Sequence, residues 1–157
     1  MKNLLSIACI LLVTASVHAQ TNDELTLIQS IWGMDKKAII EEFMDLSEQE
    51  ESVFWTLYEP YEDARKELGS ERVSIITDYV ESYASLSNEK ATELMNAAIN
   101  NNIAMQKLLK KTFKKMSKEL TPLRAGQFIQ MENYLMNMIL MSIQNELPFV
   151  GELDVNM

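Results

Sequence analysis

Three groupings of residues in this chain could do chemistry. Adjacent carboxylates occur at Glu41-Glu42, Glu50-Glu51 and Glu62-Asp63, the residue types that hydrolyse glycosides by paired acid and base action. Met136, Met138 and Met141 could offer soft thioether sulfur to Cu(I). Lys107, Lys110, Lys111, Lys114, Lys115 and Lys118 form a basic run, KLLKKTFKKMSK, that could attract anionic partners. Each has a plainer reading. Neighbouring acids on a helix surface serve solvation, and nothing outlines a sugar cleft around them. On a helix Met138 and Met141 share a face while Met136 points elsewhere, so filling a core suits these flexible side chains better. The lysines could be a solvated face or partners of acidic residues on a neighbouring helix.

The elements that would position these groups begin after an export signal. Lys2 supplies a positive start, LLSIACILLV a short apolar stretch, and Val17-His18-Ala19 a small-x-small cleavage pattern before Gln20. Residues 1–19 read as a removed signal peptide, and residues 20–157 as one exported, periplasmic domain, with 150–157 as a disordered tail. The only cysteine, Cys9, and the only histidine, His18, leave with the signal. Without them there is no disulfide framework, Cys/His zinc site, thiol nucleophile or Ser-His-Asp relay. Four glycines and three prolines supply no phosphate-binding loop, so neither an enzyme nor a cofactor is expected. The net charge of −9 argues against nucleic acid as the main partner.

Apolar residues recur every three or four positions, and β-branched runs are absent, which predicts an all-α fold. A first run over about 22–45 is broken only at Asp35 and predicts one helix or two short ones. A second, from Phe54 to Leu86, keeps its register across Gly69 and predicts one long helix over 48–85, weakened or bent there. A third predicts a helix over 88–119, interrupted by Asn100-Asn101-Asn102. The fourth, 122–146, is apolar around most of its circumference, yet Gln130, Glu132 and Asn133 make it a poor membrane span. No stable membrane insertion is expected once the signal is cleaved. Phe54, Tyr58 and Tyr61 share a face and predict core or dimer packing, with phenol oxygens at its rim.

The corners repeat a pattern: Leu46-Ser47, Leu86-Ser87 and Leu120-Thr121 each fall where one register ends and the next begins. Ser47, Ser87 and Thr121 are placed to be N-caps. Ser47 with Glu50 has the form of a capping box, and Pro122 suits the first helical position. Arg124 is not of the type that returns such a bond.

Leu-Ser/Thr corners at helix starts, in a small exported helical chain, resemble the LTxxQ motifs of the Spy/CpxP family of periplasmic proteins. The likeness rests on Leu46-Ser47-x-x-Glu50, the following FWTLYEPYE, and Leu120-Thr121-Pro122-Leu123-Arg124, and it covers roughly residues 40–145. Where the family has Gln, this chain has Glu50, Lys90 and Arg124. The resemblance implies about four helices, a long antiparallel hairpin, a curved homodimer, and binding of unfolded or partly folded envelope proteins without ATP. In that setting the six lysines, with Phe113 and Met116, are the candidate client-binding residues: charge attracts acidic chains and apolar side chains hold them loosely. Two other roles compatible with the resemblance are occupation of a periplasmic stress-sensor or anti-sigma factor domain, and a metal-responsive sensor.

Overall fold

The computed structural model describes residues 35–150. They form four α-helices: α1 (Lys36–Met44), α2 (Glu48–Ser82), α3 (Asn88–Glu119) and α4 (Pro122–Glu146), with a 3-10 turn at Tyr83–Ser85. No strand occurs among the described residues, so the fold is all-α as its periodicity predicts. The expected signal segment 1–19, the first part of the 22–45 run and nearly all of the expected tail lie outside the described residues.

Capped starts punctuate the chain. Asp35 Oδ1 accepts the Ala38 N–H at 2.8 Å, so the acid that breaks the first apolar run opens a helix. Ser47 Oγ accepts from Glu50 N while Glu50 Oε2 accepts from Ser47 N, a complete reciprocal cap. Ser87 and Thr121 accept from Lys90 N and Arg124 N. Each cap satisfies a donor that the first turn cannot satisfy itself.

α2 and α3 form an antiparallel hairpin, α4 returns along α3, and α1 lies against α4. α2 runs unbroken through Gly69, as the single long helix its register predicts, and also through Pro60. The interruption expected at Asn100-Asn101-Asn102 does not occur. α3 runs unbroken through its asparagines because Asn101 turns inward and its amide nitrogen is paired: Nδ2 donates to the Leu68 carbonyl at 2.8 Å and to Glu71 at 3.0 Å. Arg72 reaches Asn102 beside it, at 2.9 Å. The other end of the bundle is closed by Tyr79 and Tyr83, whose hydroxyls donate to the Pro148 and Phe149 carbonyls.

The main core gathers at one end: Ile40 and Met44 from α1, Phe54, Tyr58 and Tyr61 from α2, Leu109 and Met116 from α3, and Ala125, Phe128, Met131 and Leu135 from α4. Phe128 is its hub, with ring centroids 5.7, 6.0 and 5.3 Å from Phe54, Tyr58 and Tyr61. Each such fully buried side chain stabilises the fold by roughly 1.5–3 kcal/mol. Met131 and Met136 fill the interior, whereas Met141 is exposed; the three sequence-adjacent thioethers at 136, 138 and 141 do not form one site.

Candidate functional site

Two places on this frame concentrate charge, one buried and one exposed. The buried one joins three helices. Lys36 Nζ from α1 lies 2.9 Å from Glu62 Oε2 on α2 and 2.7 Å from Glu132 Oε1 on α4. Arg65, one turn beyond Glu62, donates to it from Nε at 2.8 Å and from a terminal nitrogen at 2.9 Å, and lies 3.9 Å from Glu132. The four charges sum to zero and all four residues are buried. Burial alone would raise the Glu62 carboxyl, but the Arg65 hydrogen bond and the Lys36 and Arg65 charges overcome it and hold it at about 2. Desolvation first, then the neighbouring carboxylates, pushes the Tyr58 and Tyr61 phenols well above their ordinary value. The Tyr61 hydroxyl is itself buried, not at the rim as its side-chain type predicts.

This cluster contains no nucleophile or open cleft, and its acids are neutralised by fixed cations. Its role is to fix α1 on α2 and α4. Glu62, expected from its pairing with Asp63 to serve surface solvation, is instead buried and ion-paired. The available signal was its register: Tyr58, Tyr61, Glu62 and Arg65 recur at helical spacing on the buried face, and Glu132 stands in an apolar stretch.

A second ion pair ties two corners together. Arg124 donates to Glu50 at 3.0 Å, to the Met44 carbonyl at 2.8 Å and to the Asp45 carbonyl at 3.2 Å. Glu50 is held at about 2, chiefly by its hydrogen bond from Arg124 and then by Ser47. So Arg124, which cannot complete its own cap, reaches across to the box at the start of α2. The Glu50-Glu51 pair is thus partly structural.

The exposed concentration is on α3. Lys107, Lys110, Lys111, Lys114, Lys115 and Lys118 are all exposed, as a helix with its core on the opposite side requires. Lys118 contacts Glu119 at 3.5 Å; no acid lies within ion-pair distance of the other five among the described residues. The alternative in which they pair with the acidic α2 is therefore not what the fold does. Phe113 is 38% exposed and belongs to this surface. Met116 does not. It is fully buried in the core cluster, because its register position matches Leu109 and Met105 rather than the lysines. Met95, Ile99 and Ile103, which are not among the expected site residues, are exposed on the same helix. A regular offset from the core positions was the signal that could have found them.

Among the described residues no three Asp, Glu, His or Cys side chains are gathered as metal ligands. No helix there is long and apolar enough to cross a membrane. Comparison with family models, curated proteins and solved structures found no match to this chain.

Proposed function

We propose that this protein acts by binding, as an ATP-independent holdase of the Spy/CpxP kind for unfolded or partly folded envelope proteins. The observation that carries this reading is the lysine face of α3, five of whose six charges have no acid within ion-pair distance among the described residues, set beside exposed apolar side chains. Charge of that sign opposes the strongly negative chain as a whole, so solubility alone does not account for it. Long-range attraction captures an acidic, unfolded segment, and Phe113 with its apolar neighbours holds it weakly. The Leu-Ser/Thr corners and the four-helix order support the family reading, and export to the periplasm with cleavage after Ala19 belongs to the same proposal.

The test is aggregation of two unrelated unfolded clients, with and without the protein. Lys107, Lys111, Lys114 and Lys118 changed together to Gln keep helix propensity and length while removing charge. Protection should weaken and lose most of its salt dependence, since the Debye length falls from ~10 Å at 0.1 M to ~3 Å at 1 M salt. Undiminished protection by this variant at low salt overturns the assignment of the binding face. Failure of the parent to protect either client overturns the holdase reading itself.

A further inference from the structure

The charge of this chain is divided between its two halves. Residues 35–85, which carry α1 and α2, hold 14 acids against five bases. Residues 94–145, which carry most of α3 and α4, hold seven bases against two acids. Neither of those two acids is free: Glu132 is fully buried beside Lys36, and Glu119 lies 3.5 Å from Lys118. The fold turns this division into a direction. α3 and α4 both point their buried faces at α2, with Asn101 bonding the Leu68 carbonyl and Phe128 packing on Phe54, Tyr58 and Tyr61. The outward faces of α3 and α4 are therefore turned away from the acidic helix.

Those outward faces set single apolar side chains among cations and uncharged polar groups. Ile99, Ile103 and Phe113 of α3 are 55%, 46% and 38% exposed, and Leu123 and Met141 of α4 are 74% and 67% exposed. Between the last two, uncharged Gln130 and Asn137 continue the exposed stripe of α4. The relief is shallow. Its hollow, about 380 Å³ beside Ile99, Ile103 and the stems of Lys107 and Lys110, is open along the helix rather than closed into a socket for one side chain.

A surface of this kind suits a broad, uniformly anionic partner. Lysine stems can lie along apolar matter while their ammonium groups reach phosphates, and the apolar side chains between them dip below the headgroups. We infer that the α3–α4 face is a docking surface for an anionic phospholipid bilayer, on which the molecule lies with α1 and α2 toward water. The net charge of −9 does not prevent this. The acids of α2 sit behind a helix about 10 Å across, about one screening length at 0.1 M salt. The inference stands apart from the holdase reading, because vesicle binding needs no client and client protection needs no lipid.

Co-sedimentation of the purified protein with vesicles tests this. At ~0.1 M salt it should bind vesicles of equal parts phosphatidylglycerol and phosphatidylcholine but not pure phosphatidylcholine, and it should release as salt approaches ~1 M. Each lysine near such a surface strengthens binding roughly fivefold, so Lys110→Gln with Lys114→Gln should weaken it about twentyfold. Glu59→Gln with Glu81→Gln makes an equal and opposite change of net charge on the far side, and should alter binding by less than about threefold. Brominated phosphatidylglycerol should quench a tryptophan placed by Met141→Trp and spare one placed by Ser74→Trp on α2, over the common background of Trp32 and Trp55. Absence of binding to the anionic vesicles overturns the inference, as does equal binding to the neutral ones. A double lysine variant that binds like the parent overturns it too. Binding of polyglutamate without binding of vesicles would make the face a site for acidic chains and not for lipid. Equal quenching at both tryptophans refutes the assigned face, and that comparison stands even if the lysine variants fold poorly.

Discussion

Replacing Lys36 with methionine should be among the most damaging single changes to this fold, and the buried cluster sets the size of the effect. The Lys36 side chain is 6% exposed and spans Glu62 and Glu132 at 2.9 and 2.7 Å. Methionine keeps the unbranched stem but removes the charge. Glu62 would still be held in two-pronged fashion by Arg65, whereas the nearest cation to Glu132 would be Arg65 at 3.9 Å. Breaking a buried pair this way costs about 3–5 kcal/mol, mostly from the carboxylate left uncompensated. That is a large fraction of the ~5–15 kcal/mol that holds a typical domain together. The double variant Lys36→Met with Glu132→Leu removes both charges and leaves the neutral Glu62–Arg65 pair, so it should lie within about 1 kcal/mol of the parent. The coupling between the two sites is then roughly 3 kcal/mol or more, the two single costs less that of the double, read from urea unfolding at pH 7 followed by helicity. A Lys36→Met cost below about 1 kcal/mol would refute the reasoning. So would a double variant as unstable as the sum of the singles, because the cluster would then not be acting as a set of opposed charges.

Acid should also weaken the protein, with a defined sign. Glu62 sits at about 2 in the fold against an ordinary 4.5, so its contribution is complete above about pH 5 and drains away as the pH falls toward 2. The loss is up to roughly 3 kcal/mol, measurable as a falling urea midpoint between those limits. Ser47→Ala should cost about 1 kcal/mol by removing the cap of α2, and Arg124→Ala more than that, because it frees Glu50 and two backbone carbonyls at once; urea melts that overlay the parent would contradict both. Gly69→Ala should stabilise α2 by about 0.5–1 kcal/mol, since a methyl group there meets nothing within 4 Å; a lower thermal midpoint would show that the glycine serves the packing near Asn101.

The helix map was legible in the chain because its signals are local. Serine or threonine before each new register, proline at the first turn of α4, and apolar spacing of three and four are properties of a few consecutive residues, and they place α2, α3 and α4 almost to the residue. Local signals also mark the lysines as surface, since a run of six cations on one helix has only solvent or an acidic partner to face. What lay beyond them was every feature whose partner is remote in sequence. Asp35 reads as a flaw in an apolar run until it is seen to cap α1. The asparagines read as an interruption until Leu68 and Glu71, about thirty residues earlier, receive Asn101. Arg124 reads as a failed cap until α1 and α2 bring Met44, Asp45 and Glu50 to it. Met116 and Phe113 lie only three residues apart in the lysine run, yet one is core and the other surface, because the rotation of α3 against α2 and α4 decides which apolar positions are covered. The same holds most strongly for Lys36, Glu62, Arg65 and Glu132. A charged residue reads as exposed by default, since burying it alone is prohibitive. Only the packing of three helices, 96 residues apart at the extremes, supplies the opposite charges that make its burial tolerable.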